Sequence, residues 1–192
     1  QMNLPNKLSL FRIIAVPVMT LIYYLPVYMA PLWSVIIFIV AAFTDFLDGY
    51  IARKYNMVTD LGKLLDPIAD KMLVVFALFI VVENGSLPVG WGGAACAVIV
   101  AREMLISIVR QIAASKGVII QANIFGKLKT FSQDIALPLL MLFPLNIEGV
   151  LGDVIRYAGW GVFCVAVVMT VLSMIIYLWQ NRGVFSEKKS EK

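Results

Sequence analysis

Two pairs of aspartates, Asp45 with Asp48 and Asp66 with Asp70, have a spacing that could place each pair on one face of a helix. Residues three or four positions apart lie on the same side of an α-helix. In an apolar chain, acidic side chains this close repel one another unless positive charge lies between them. Ligands that offer only carboxylate oxygens favour hard cations such as Mg²⁺ or Mn²⁺. The pattern therefore predicts a carboxylate site that holds one or two divalent cations.

A solvated loop with helix caps is the alternative interpretation of these acids. It would account for Asp60 and for Asp66. It does not account for Asp45 and Asp48, because these two residues follow the apolar run at 33–43. We therefore interpret the segment as the site of chemistry.

The composition is that of a membrane protein. Hydrophobic residues make up 61% of the 192 residues, against roughly 45–50% in soluble domains, and the mean hydropathy is +0.89. Histidine is absent, so any acid–base chemistry falls to Asp, Glu, Lys or Tyr. Cys96 and Cys164 lie in apolar runs and are interpreted as core residues rather than as a disulfide or a metal site.

The long apolar runs predict an all-α, polytopic membrane protein with a single domain at residues 1–185. A charged tail at 186–192 is expected to be disordered. Lys and Arg are concentrated in one set of connections, whereas the opposite set holds only Arg156, which predicts that both termini face the cytoplasm. Six transmembrane helices are predicted, at residues 10–25, 31–51, 66–82, 91–113, 124–143 and 157–179.

Two helix starts are predicted in more detail. The segment ahead of the first span could form a short interfacial helix, with Lys7 and Arg12 directed toward lipid head groups. The alternative is that these two charges serve only to set the orientation of the first span. Pro67 directly follows Asp66 and suits the first turn of a helix. The dipole of a helix that begins there would favour the Asp66 carboxylate.

The acids also form part of a longer pattern, Asp-x₂-Asp-Gly-x₂-Ala-Arg-x₈-Gly-x₃-Asp-x₃-Asp. This pattern resembles the signature of the CDP-alcohol phosphotransferases. The predicted six-helix topology also fits that family, so the resemblance covers nearly the whole chain. The matching residues are Asp45, Asp48, Gly49, Ala52, Arg53, Gly62, Asp66 and Asp70.

The resemblance implies an enzyme that transfers a phosphatidyl-type group from a CDP-linked donor to an alcohol and releases CMP. It implies two divalent ions, Mg²⁺ or Mn²⁺, at Asp45, Asp48, Asp66 and Asp70, with Asp70 as general base on the acceptor hydroxyl. It also implies a homodimer. The residues expected to bind the CDP-diacylglycerol donor are Asn6, Ser9, Asp48, Gly49, Ala52, Arg53, Gly62 and Asp66.

Two further strings bear on the acceptor: PNKLSLFR at residues 5–12, with Ser9 where Thr is common, and GKLKTFSQ at 126–133. Both resemble members of the family whose acceptor is glycerol 3-phosphate. Because an acceptor that carries a phosphate needs cations beside the metal site, we expect Arg110, Lys127, Thr130 and Gln133 to bind it. The alternative is that these lysines only follow the charge bias of cytoplasmic loops.

Arg102 and Glu103 lie well inside an apolar run. For them, a buried structural pair is the alternative to contact with substrate.

The expected function is transfer of the phosphatidyl group from CDP-diacylglycerol to sn-glycerol 3-phosphate, at the cytoplasmic face of the cell membrane. Another acceptor, such as inositol phosphate, serine or phosphatidylglycerol, would keep the same carboxylates and change only the pocket. A small cation transporter could also use these acids, but it would need a polar path to the far side, and the outer halves of the spans offer almost none. Nucleic acid is not an expected partner.

Overall fold

The protein is described by a computed structural model that covers residues 3–54, 60–115 and 124–181. Within these ranges the regular secondary structure is entirely helical. The predicted tail at 186–192 lies outside the described residues. The helices are α1 at Leu4–Tyr23, α2 at Ala30–Lys54, α3 at Asp60–Glu83, α4 at Gly92–Ser115, α5 at Ile124–Met141 and α6 at Val150–Gln180, with a short 3₁₀ helix at Phe143–Leu145 between α5 and α6.

The prediction of a separate interfacial helix ahead of the first span is wrong. Pro5 lies in the first turn of α1, where its missing N–H costs no hydrogen bond. Buried positions three or four residues apart then continue without a break from Pro5 to Tyr23. This single buried stripe lets residues 4–23 pack as one helix. Arg12 is part of the stripe and is not directed toward head groups.

The predicted start of the third helix at Asp66 is also wrong, because α3 begins at Asp60. Pro67 therefore lies inside the helix, where it removes one backbone hydrogen bond. Its side chain is exposed, whereas Gly62, in the turn before it, is buried. Packing of α3 against α1 thus outweighs the local preference of proline for a first turn. Asp66 consequently receives no benefit from a helix N-terminus.

Four of the six predicted spans are long and apolar enough to cross a membrane: α1, the part of α2 at Ala30–Ile51, the part of α4 at Gly92–Ala113, and α6. Helix α5 begins where the sequence predicts it, and α3 contains its predicted range but begins earlier. Polar residues occupy the N-terminal halves of both helices. The prediction of a helical membrane protein is confirmed for these four spans. Six spanning helices and cytoplasmic termini stay predictions.

The helices pack around an apolar core. Along the bundle, α1 contacts α2 and α3, α5 runs beside α6, and α4 contacts α3 and α6. Val16, Phe38, Leu78, Leu137 and Phe163 bring five of the helices together in this core. Large apolar side chains also cover the outward faces, as expected where lipid rather than water surrounds the helices.

A polar clasp ties α1, α3 and α5 together at the end where α1 and α3 finish. Asn84 Nδ2 donates to the Tyr23 hydroxyl (2.8 Å) and to the Leu140 carbonyl oxygen (3.0 Å). The Tyr23 hydroxyl in turn donates to the Met141 carbonyl oxygen (3.1 Å). The Asn84 side chain also accepts from the Ser86 backbone N–H (2.9 Å). These bonds fix the register of three helices at one end.

Asn84→Ala should lower the free energy of unfolding by about 1–3 kcal/mol, since it removes the partner that the Asn84 side chain supplies to the Tyr23 hydroxyl, the Leu140 carbonyl oxygen and the Ser86 N–H. The measurement is thermal unfolding of the purified protein in detergent. Asn181→Ala is the control, because Asn181 donates only to Tyr177 of the same helix turn (2.8 Å) among its recorded side-chain bonds. Equal shifts in melting temperature for the two variants would show that the contacts of Asn84 between helices do not stabilise the fold.

Candidate active site

Arg12 lies inside the bundle and bridges the first aspartate pair. Its side chain is 0% exposed. Nη1 donates to Asp45 and Nη2 to Asp48. The guanidinium fork suits this role, because its donors can serve two carboxylates at once. Asp48 is itself only 3% exposed, so Arg12 supplies the positive charge that a buried carboxylate requires.

Ser9 links α1 to the second aspartate pair. Its hydroxyl is hydrogen-bonded to Asp66 of α3 and lies 3.1 Å from the Pro5 carbonyl oxygen. Ser9 and Arg12 are three residues apart and share the buried face of α1. One face of α1 therefore contacts acids on both α2 and α3.

A cavity of about 370 Å³ opens beside these acids. Asp45, Asp66 and Asp70 line one part of its wall, and side chains of α4, among them Arg102 and Glu103, line the other. We call it the carboxylate cavity. Asp48 does not line it and is bound to Arg12 instead. The sequence prediction that the paired acids face a common space is thus met by three of the four.

A second cavity, of about 430 Å³, adjoins the first, and we call it the cationic cavity. Arg110 and Lys127 line it together with Thr130 and Asp134. The guanidinium carbon of Arg110 lies 5.9 Å from the centre of the Tyr177 ring, a cation–π arrangement. Both cavities share four lining residues, which are Asp70, Arg102, Glu103 and Arg110.

Glu103 holds two cations between α4 and α5. Its Oε1 accepts from Arg102 Nη1 (2.8 Å) and from Lys129 Nζ (2.6 Å). Arg102 Nε also donates to Ser173 of α6 (3.2 Å). Arg102 is 8% exposed and Lys129 2%. The buried ion pair that the sequence suggests for Arg102 and Glu103 is present. Lys129, which is distant from both in the sequence, also bonds to Glu103. We call these three residues the Glu103 cluster.

The donor chemistry of the carboxylate cavity fits a hard divalent cation. Its three aspartates offer only oxygen ligands, which is the set that Mg²⁺ and Mn²⁺ prefer. Within residues 3–54, 60–115 and 124–181, however, no three acidic or cysteine side chains are grouped closely enough to hold a metal ion. Coordination by Asp45, Asp48, Asp66 and Asp70 stays a prediction.

The other predicted site residues fall into three groups. Asn6 is buried on the same face of α1 as Ser9, and Gly49 and Gly62 belong to α2 and α3. Thr130 lines the cationic cavity, whereas Gln133 is buried and lines neither cavity. The side chains of Ala52 and Arg53 lie outside the described residues.

Arg12 is the residue that sequence reasoning placed wrongly. It belongs to the N-terminal string at residues 5–12, for which the sequence predicts a charge that faces lipid head groups or sets the orientation of the span. The spacing of the sequence could have indicated that Arg12 is buried, because Ser9, Arg12 and Val16 lie three or four residues apart on one face of α1. A cation on the buried face of a helix must have an acidic partner.

Comparison with known proteins shows the family of the chain. A family model described as CDP-alcohol phosphatidyltransferase matches residues 2–179, and the chain belongs to that family. This confirms the resemblance carried by the aspartate signature.

Individual relatives are also similar over nearly their whole length. The chain is 41% identical over 185 residues to the CDP-diacylglycerol–glycerol-3-phosphate 3-phosphatidyltransferase of Escherichia coli (strain K12), covering 95% of this chain and 97% of the relative. It is 40% identical, with the same coverage, to the protein of that name from Salmonella choleraesuis (strain SC-B67).

Arg12→Gln should destabilise the protein by about 3–5 kcal/mol, because it leaves Asp48 buried without its counter-charge. Thermal unfolding in detergent with EDTA measures the effect. Lys7→Gln is the matched control, since it removes the same charge from an exposed position of the same helix. If both variants unfold at the wild-type temperature, Arg12 does not hold the acids in place.

Proposed function

We propose that this protein transfers the phosphatidyl group from CDP-diacylglycerol to sn-glycerol 3-phosphate, giving phosphatidylglycerophosphate and CMP. The observation that carries the proposal is the position of Asp70 in the wall of both cavities. A group at this position can reach a donor in the carboxylate cavity and an acceptor in the cationic cavity. Family membership and the names of relatives about 40% identical support the same reaction.

The acceptor would bind in the cationic cavity. Arg110 and Lys127 carry the charge that a phosphate group requires, and Thr130 adds a hydroxyl. An acceptor such as serine brings no phosphate for these cations, and its ammonium group would be repelled by them. This favours glycerol 3-phosphate or another phosphorylated alcohol. The contribution of Gln133 would be indirect, because this side chain is buried and lines neither cavity.

Asp70 would act as the general base. It accepts the proton of the C1 hydroxyl of glycerol 3-phosphate, and the resulting alkoxide attacks the β-phosphorus, which carries the diacylglycerol. A new bond forms between oxygen and the β-phosphorus as the bond from that phosphorus to the oxygen of CMP breaks. CMP departs with the electron pair of the broken bond. A carboxylate in this position contributes typically 10²–10⁴-fold to the rate.

The donor would bind over the carboxylate cavity, with Asp45, Asp48, Asp66 and Asp70 holding two divalent ions. When bound, Mg²⁺ or Mn²⁺ supplies the positive charge that the diphosphate and the leaving CMP require. Arg12 and Ser9 fix the orientation of Asp45, Asp48 and Asp66 from the α1 side. The remaining donor contacts would come from Asn6, Gly49, Ala52, Arg53 and Gly62.

The site would face the cytoplasm of a cell membrane. Its residues lie at the start of α1, the end of α2, the start of α3, the end of α4 and the start of α5. Consecutive helices that cross a bilayer alternate in direction, so these five positions belong to the same side. The concentration of Lys and Arg in the same connections favours the cytoplasmic side. We also propose a homodimer, as the family resemblance implies.

The experiment for the function is CMP release by the purified protein in detergent with CDP-diacylglycerol and Mg²⁺ or Mn²⁺. Glycerol 3-phosphate, inositol 3-phosphate, serine and phosphatidylglycerol serve as separate acceptors. Release only with glycerol 3-phosphate is the expected result. Release with a different acceptor would show that glycerol 3-phosphate is not the substrate. If folded protein releases no CMP with any of the four acceptors, the proposal of a transferase is wrong.

Asp70→Asn should reduce kcat by at least about 10²-fold, because the amide cannot accept the proton of the acceptor hydroxyl. The variant should keep the wild-type melting temperature, since the Asp70 side chain is exposed. Asp153→Asn is the control, because Asp153 is an exposed acid at the start of α6, away from the cavities. A fully active Asp70→Asn enzyme would exclude Asp70 as the base.

A further inference from the structure

Asp134 is an acid of the cationic cavity that the proposed mechanism does not use. Among the described residues, the acids that line this cavity are Asp70, Glu103 and Asp134. Asp70 is the proposed base, and Glu103 is neutralised by Arg102 and Lys129. Asp134 is half-buried in α5, and its carboxylate forms no hydrogen bond or ion pair with other described residues. A carboxylate in this state is stabilised by a ligand that brings it a hydrogen-bond donor.

The position of Asp134 along α5 separates it from the cations that bind the phosphate. Lys127 and Asp134 are seven residues apart, so they share a helix face with roughly 10 Å between them along the axis. Thr130 lies on that face between the two. The charges of Asp70 and Asp45 repel that of Asp134. Asp134 therefore lies toward the reacting end of the cavity.

Glycerol 3-phosphate has a hydroxyl that suits this position. Its phosphate is on C3, its reacting hydroxyl is on C1, and a second hydroxyl on C2 lies between them. With the phosphate at Arg110 and Lys127 and the C1 hydroxyl at Asp70, the C2 hydroxyl needs an acceptor of its own. An ionised carboxylate can only accept hydrogen bonds. Asp134 would thus repel a phosphate but bind a hydroxyl.

We propose that Asp134 selects the acceptor by accepting a hydrogen bond from its C2 hydroxyl, while Asp70 accepts the proton of the C1 hydroxyl. This role of Asp134 rests on the proposed function and adds a specificity-determining residue outside the two aspartate pairs. No bond changes at C2, so Asp134 holds the acceptor and takes no part in the proton transfer. Its charge also disfavours acceptors that carry a second phosphate at this end.

The sharpest test compares glycerol 3-phosphate with 3-hydroxypropyl phosphate, which keeps the phosphate and the primary hydroxyl but lacks the C2 hydroxyl. CMP release from CDP-diacylglycerol gives kcat/KM for each acceptor. The wild-type protein should prefer glycerol 3-phosphate by roughly 10- to 100-fold, the value of one hydrogen bond to a charged group. In Asp134→Ala the preference should fall to near one, with the loss confined to glycerol 3-phosphate.

Two further variants separate the hydrogen bond from the charge. Asp134→Asn keeps an acceptor oxygen of the same reach but no charge, so it should retain a preference of roughly threefold to tenfold. Asp153→Ala is the matched control, because Asp153 is an exposed acid of α6 away from the cavities. It should keep the wild-type preference.

The stereochemistry of the acceptor provides a second readout. Asp70, the two cations and Asp134 would contact three different substituents around C2, and such contacts distinguish mirror images. The wild-type protein should therefore use sn-glycerol 3-phosphate better than sn-glycerol 1-phosphate. Asp134→Ala should narrow that difference, and an unchanged difference would contradict the proposed contact.

Failure of the contact can be told apart from failure of the function. If the wild-type protein releases no CMP with glycerol 3-phosphate, the proposed function is wrong, and the role of Asp134 is wrong with it. If the wild type is active but uses both phosphates equally, the C2 hydroxyl is not recognised. If Asp134→Ala keeps the wild-type preference, or loses activity equally with both acceptors, Asp134 does not bind this hydroxyl.

Discussion

The contact of Arg12 with Asp45 and Asp48 is the interaction on which the rest of the site depends. Four aspartates at one end of an apolar bundle cannot be held together by packing alone, because their charges repel one another. The fully buried guanidinium of Arg12 offsets the charge of Asp48, which is the most buried of the four. It also joins α1 to α2, while Ser9 joins the same face of α1 to Asp66 of α3.

The two cavities follow from this arrangement. Once α1 holds the acids of α2 and α3, Asp70 lies at the boundary between a space lined by carboxylates and a space lined by cations. The first suits a donor whose diphosphate is carried on divalent ions, and the second suits an acceptor that brings its own phosphate. The Glu103 cluster keeps the wall between the two in a fixed position, because it ties α4 to α5 and, through Arg102, to α6.

Much of this could be predicted from the sequence, because spacing on a helix is a local property. The pairs Asp45–Asp48 and Asp66–Asp70, and the cavity face shared by Lys127 and Thr130, are three or four residues apart. Partners distant in sequence could not be found in this way. Lys129 and Gln133 occupy the buried face of α5, so the string that predicted substrate contact for Gln133 contains residues from two different faces.

The most direct measurement of the central claim is an experimental structure of the protein with glycerol 3-phosphate and a divalent cation bound. We expect the phosphate between α4 and α5, within hydrogen-bond distance of Arg110 and Lys127, and the C1 hydroxyl directed toward Asp70. We also expect Arg12 to keep its contact with Asp48. A phosphate bound on the far side of the carboxylates, away from the cationic cavity, would contradict the account.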